Sequence, residues 1–246
     1  MLPLDRIVAW RSEDLPSGYA GALRALLGLD VRTERDLLRA LAAPWGEHSP
    51  AACLIAGRTG NPTFARPLLR LLVQEEASER LVEVAKALSR TAHTGLISSI
   101  SVVLSSNPRE ERRWAAAIVL SYMSDDTCIK PLARRLDDSH ESAGVRGQAA
   151  EGLGSTYMCG PDRRNRRMRL AESSLLRNLR DPSAEVRFWC CYGLGALRSR
   201  KARGVLAHLA RTDTGVVPGW WSVAEEATDA VTKIDGGEPE GRATRP

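Results

Sequence analysis

The 246-residue chain predicts an all-α fold, an α-solenoid of about five helical-hairpin repeats with capping helices at both ends. Three observations predict it. A segment recurs with starts near residues 43, 75, 107, 140 and 181, in steps of 32, 32, 33 and 41. Inside the copies, apolar side chains follow helical periodicity, as in Val186, Cys190, Leu194 and Leu197. No segment alternates apolar and polar residues as a half-buried strand would. One such hairpin cannot bury its apolar face alone, so the copies must stack.

Taken in order, residues 1–42 read as a divergent N-terminal cap, with Leu23, Leu26, Leu27, Leu37, Leu38 and Leu41 as its apolar positions. Residues 43–235 are the expected solenoid. Its first two copies are weak, one from Ala43-Pro44 to Ile55-Ala56-Gly57, the next from Glu75 through Leu81, Ala85 and Leu88. The last three are clear: Asn107 to Ser121, His140 to Gly154 and Asp181 to Gly195. The final step exceeds its predecessor by eight residues, which predicts a loop insertion. Asn107 and Asp181 are candidate helix N-caps, with Pro108 and Pro182 at the first helical position. Gly154 and Gly195 stand where the chain is expected to reverse. Arg66 to Leu72 and Lys130 to Leu136 supply second helices of hairpins, and Trp221 to Ile234 a last capping helix. Residues 236–246 are rich in Gly, Glu and Pro and are expected to form a disordered tail.

The copy Val145-Arg146-Gly-Gln-Ala149-Ala150-Glu-Gly-Leu153-Gly154 resembles the HEAT-repeat family, in particular its PBS-lyase-type repeats. The resemblance extends over roughly 43–235. It implies that the motif helix lines a concave surface, where large aromatics serve as binding anchors. It also implies that Arg113, Arg146 and Arg187, which share one repeat position, form a ladder with acidic side chains between units.

Composition narrows the function classes. The chain is 43% hydrophobic and 26% charged, the balance of a globular protein. No apolar run reaches the roughly 20 residues of a membrane helix. Asp5 and Arg6 interrupt any signal-peptide stretch, so a cytoplasmic protein is expected. Five cysteines with no C-x-x-C pair argue for reduced thiols, and the four histidines lack ligand spacing. Neither a metal nor a cofactor is expected. The net charge of +5 is uneven: +2 over 1–123, +7 over 124–211 and −4 over 212–246.

Phe188, Trp189 and Tyr192 form a candidate aromatic stripe at i, i+1 and i+4. With Trp114, Gln148 and Glu151 at matching repeat positions, they are candidate partner-binding residues. The competing reading is padding of an irregular repeat interface. Arg163, Arg164, Arg166, Arg167 and Arg169 form a basic patch in the insertion. It reads as a solvated loop, as the start of a basic helix, or as a docking site for phosphate or an acidic protein face. Cys190 and Cys191 align with packed alanines and read as core. Gly152-x-Gly154 and Gly193-x-Gly195 mimic a nucleotide loop, but no strand precedes either. There is no catalytic signature, because nucleophile, base and metal-ligand patterns are all missing.

The leading expectation is therefore a non-enzymatic module of bacterial type that binds another protein through its concave face, as an adaptor, assembly factor or toxin-immunity protein. The alternative is nucleic-acid binding of the alkylpurine DNA glycosylase kind, resting on Trp114, Trp189 and the arginines. A bilin-lyase-like role has only the repeat itself behind it.

Overall fold

A computed structural model describes residues 34–46, 49–123, 125–155 and 166–238. The expected cap leucines Leu23, Leu26 and Leu27, most of the expected tail, His48, Cys159, Arg163 and Arg164 lie outside the described residues. The described residues form twelve α-helices and no strand; one isolated antiparallel bridge joins Val216 to Ser222. The architecture is an α-solenoid of stacked helical hairpins. None of the described helices is long and apolar enough to cross a membrane. The chain divides into two compact units, 1–103 and 104–246.

In the first unit, α1 (Glu34–Ala42), α2 (Ser49–Thr59), α3 (Ala65–Gln74) and α4 (Ser78–Thr91) pack through a core that includes Leu37, Ile55, Phe64, Leu68 and Leu88. Gly57 makes this stacking possible, since a Cβ there would stand 2.9 Å from Ala87 Cα. The division between units falls within α5 (Ile97–Ser106).

The second unit has two rows of helices. One row holds the motif helices α6 (Glu110–Tyr122), α8 (Ala143–Ser155) and α10 (Ala184–Ala196), followed by α12 (Val223–Ile234). The other holds α7 (Ile129–Leu136), α9 (Arg166–Asn178) and α11 (Arg203–Thr212). Leu120, Leu132, Leu153, Leu175, Leu194 and Leu206 are buried between them.

Three sequence expectations need correction. Gly154 and Gly195 do not reverse the chain: both lie inside motif helices. A Cβ at Gly154 would stand 2.7 Å from Gly193 Cα, and one at Gly195 2.8 Å from Ala230 Cα. They are glycines because adjacent helices cross there backbone to backbone. The reversal after α10 falls instead on Arg198, at φ 49°. Asn107 and Asp181 do not cap their helices. Their side chains accept from the backbone N–H groups of Arg109 and Ser183, two residues on, forming turns that end before α6 and α10 begin. Pro108 and Pro182 accordingly sit in those turns and not at a first helical position. Finally, the insertion is not all loop, because Arg166, Arg167 and Arg169 open α9.

A second repeat signal lies in short turns that precede the second helices. Asn61, His93 and Asp125 are 32 residues apart. Each accepts from the backbone N–H two residues on, at 3.0, 3.2 and 2.8 Å.

Candidate interaction face of the second unit

Three arginines at one repeat position each pair with a carboxylate of the following inter-repeat turn. Arg113 donates to both carboxylate oxygens of Glu141, at 2.7 and 2.8 Å. Arg187 does the same to Asp213, at 2.7 and 2.9 Å. Each also donates to two carbonyls of its own turn: Asn107 and Pro108 for Arg113, Asp181 and Pro182 for Arg187. Arg146 is more buried, pairing with Asp181 and donating to Asn178 Oδ1 at 3.0 Å and to the Leu136 carbonyl at 3.0 Å. The acceptor carboxylates also hold their own turns, as Asp213 does by accepting from the Gly215 N–H at 2.8 Å. Each pair therefore fixes one unit's helix to the next unit's turn. Burial opposes ionisation of Glu141, yet the hydrogen bond from Arg113 holds it below its ordinary value. Arg187 does the same for Asp213.

The aromatic stripe divides. Phe188 is only 1% exposed, so it is not a surface anchor. Its ring lies 5.1 Å from Trp189, 6.0 Å from Trp220 and 5.7 Å from Trp221, centroid to centroid. Those last two tryptophans belong to the segment before α12, and they cover Phe188 from outside its own helix. Trp189 and Tyr192 remain half-buried, as does Trp114. Trp189 and Tyr192 meet edge to face at 5.6 Å.

Beside them, α8 lacks side chains at Gly144 and Gly147. A Cβ at Gly144 would meet nothing within 4 Å, and one at Gly147 would touch Trp189 and Glu185, which lean over it from α10. Gln148 donates to Glu151 at 2.6 Å. Tyr122, 56% exposed, stands near Glu151 and Tyr192. Burial raises the Glu151 carboxyl above its ordinary value, although the Gln148 hydrogen bond works the other way. Burial also raises Glu185, and the charge of Glu110 adds to it. Glu110 stands on α6 and Glu185 on α10, so their repulsion crosses the bare stretch of α8. None of Glu110, Glu151 and Glu185 forms an ion pair among the described residues.

Charge separates by row. The four motif-row helices carry seven acidic and five basic side chains, and three of those five are Arg113, Arg146 and Arg187. Helices α7, α9 and α11 carry nine basic and one acidic. Of the basic patch, Arg166, Arg167 and Arg169 are exposed on α9, where Arg167 pairs with Asp126. The tryptophans and the arginine cluster thus belong to different rows. Cys53, Cys128, Cys190 and Cys191 are buried free thiols. Burial pushes Cys53 up to about 12 and Cys190 and Cys191 well above the ordinary range, which leaves them unreactive.

Sequence reasoning missed Tyr122, Glu110, Glu185, Gly144, Trp220 and Trp221. Gly219-Trp220-Trp221-Ser222 ahead of the capping box of Ser222 and Glu225 was the available signal for the two tryptophans. For the bare stretch of α8 the available signal was the pair of glycines at positions filled elsewhere by Glu111, Trp114, Glu185 and Phe188.

Residues 173–197, the end of α9 with all of α10, match the family model of the HEAT repeat. No curated protein matches the chain. Among solved structures, it is similar to a designed armadillo repeat protein in complex with the peptide (KR)4, at 17% identity and a TM-score of 0.51, over 82% of this chain and 100% of that one. It is also similar to an engineered protein at 20% identity and a TM-score of 0.48, over 83% of this chain and 98% of that one. The matched repeat at 173–197 and the stacked helical hairpins give the chain the fold of an α-solenoid.

Proposed function

We propose that the second unit is a non-enzymatic interaction module that binds another protein across the face of α6, α8 and α10. One observation carries the reading: half-buried aromatics and carboxylates without ionic partners gather over a helix stripped of side chains at Gly144 and Gly147. A soluble repeat protein gains nothing in stability from half-burying unpaired carboxylates. Large, partly exposed aromatic rings are the side chains that dominate protein interfaces. Trp114, Trp189, Tyr192, Gln148 and Glu151 line this face, and Phe188 supports Trp189 from beneath. The designed armadillo protein shares the fold and holds a peptide, but only the residues named here support the reading for this chain. The nucleic-acid alternative is weaker because it needs tryptophans and arginines on one face, and they lie in separate rows.

A photo-crosslinking amino acid tests the reading. Placed at Gly144 in the native host, it should capture a discrete protein. Placed at the exposed Ser173 on α9, it should not capture that protein. Capture of nucleic acid at both positions, or of the same protein at Ser173 alone, overturns the assignment.

A further inference from the structure

We infer that a cavity between α9 and α11, in the other row of helices, binds a small organic acid: a carboxylate carried on an apolar stem. The cavity has a volume of about 580 Å³, the size of a small-molecule site. Leu179 and Arg180, just after α9, line one side, and Gly204, Val205, His208 and Leu209 on α11 line the other. The neighbouring seam of the same row shows what this one lacks. Between α7 and α9 the Asp137 carboxylate bridges the two helices. It accepts from Ser174 Oγ and Asn178 Nδ2, both at 2.9 Å, and from Arg177. Between α9 and α11 the corresponding place holds Arg180 and His208. Among the described residues neither side chain has a hydrogen-bond or ion-pair partner.

The carboxylates that do reach this seam are already engaged. Asp181 and Asp213 line the cavity, but they are answered by Arg146 and Arg187, which leaves Arg180 as the uncompensated charge. Glu172 accepts from Ser199 and Lys201, each at 2.7 Å, and lies outside the lining. An added carboxylate would take from Arg180 and His208 the kind of hydrogen bonds that Asp137 takes from α9. The stem follows from the rest of the lining. Leu179, Val205 and Leu209 are apolar, and Val205 stands 40% exposed at the cavity. A cationic guest would meet Arg180 as a like charge. A wholly apolar one would cover Arg180 and His208 without giving them a partner.

The probe is hexanoate, with uncharged hexanamide of the same shape as control, titrated into the full chain and read by NMR on the methyl groups of Val205 and Leu209. Hexanoate should shift these methyls saturably, with a dissociation constant of about a millimolar or below. Hexanamide should bind at least about tenfold more weakly, because only the carboxylate makes charge-assisted hydrogen bonds. Arg180→Gln and His208→Gln should each weaken hexanoate and leave hexanamide unchanged. Arg200→Gln, an exposed arginine outside the lining, should change neither. Gly204→Leu should abolish the shifts, since a Cβ there meets nothing within 4 Å and its side chain can fill the space without strain. Equal binding of the acid and the amide would mean an apolar cavity with no use for charge, and the inference falls. It falls equally if hexanoate binds as well to Gly204→Leu or Arg180→Gln as to the wild type, or if hexanoate causes no saturable shift. A glutamate-bearing peptide that shifts the methyls where hexanoate does not would make the seam a protein-docking site and overturn the small-ligand assignment.

Discussion

Two sets of carboxylates in the second unit stand in different surroundings and behave in opposite ways. Glu141, Asp181 and Asp213 sit in the inter-repeat turns, and each receives an arginine from the preceding unit. Glu110, Glu151 and Glu185 sit on the motif helices one to three turns away and receive none. The arginines hold Glu141 and Asp213 below their ordinary values, and burial holds Glu151 and Glu185 above theirs. Burial alone therefore does not decide what a carboxylate does in this fold; what it faces does. The paired set fixes the stacking of the units. In the other set, burial makes the ionised forms of Glu151 and Glu185 costly in the folded protein.

The largest effect should come from the most buried rung. Arg146→Ala leaves Asp181 enclosed without its cation, and loss of one member of a buried pair costs about 3–5 kcal/mol. Thermal unfolding followed by tryptophan fluorescence reads this directly, because Trp114, Trp189, Trp220 and Trp221 all belong to this unit. A melting temperature within a degree or two of wild type would mean that the ladder is decorative.

The outer rungs should cost less. Arg113 and Arg187 are partly exposed, and their removal is expected to cost about 1–3 kcal/mol each. The comparison sharpens in the double variant. Arg187→Ala with Asp213→Asn should recover part of the loss, since the stranded charge goes with its partner. No recovery in the double variant would show that the stranded charge of Asp213 is not what makes the loss of Arg187 costly.

The arginines of this ladder were legible in the sequence because they recur at one repeat position. Their acceptors were not, because the separation from arginine to carboxylate varies: 28, 35 and 26 residues. Phe188 was misplaced for a related reason. Its i, i+4 spacing to Tyr192 shows that they share a side of α10 but not that Trp220 and Trp221, 32 and 33 residues on, close over one of them. The approach of Glu110 to Glu185 was the least legible feature. Glu110 and Glu185 look like ordinary acids in a first helical turn, and only stacking on both sides of α8 turns them toward one another. The repeat period therefore carried the architecture, whereas the face depended on what non-repeating segments bring alongside it.

Acidity should separate the two sets without any mutation of the ladder. Glu141 and Asp213 have lowered values in the folded state, so their stabilisation is complete above the unfolded-chain value near about 4 and disappears as pH falls through the folded values. Glu151 and Glu185 have raised values, so their cost is absent at low pH and develops as pH rises from about 4 through their folded values. Glu151→Gln with Glu185→Gln should then leave acid unfolding unchanged and raise the melting temperature near neutral pH by a small amount. A lower melting temperature at neutral pH would mean that these carboxylates are partnered after all and that the two sets are one.

The smallest expected effect concerns the bare stretch of α8. Glycine within a helix costs about 0.5–1 kcal/mol relative to alanine because it surrenders more backbone freedom on folding. At Gly154 that cost is unavoidable, since a methyl group would stand 2.7 Å from Gly193 Cα; Gly154→Ala should therefore destabilise by forcing α8 and α10 apart. Gly144 has no such neighbour, so Gly144→Ala should stabilise by up to about 0.5–1 kcal/mol. Its place in the second position of α8, where the first turn is less demanding, argues for the lower end. Calorimetry of the two variants side by side tests the pair. Stabilisation at 144 with destabilisation at 154 marks one glycine as required by packing and the other as free of any packing demand. Destabilisation at both would mean that the space beside Gly144 is filled in the folded protein.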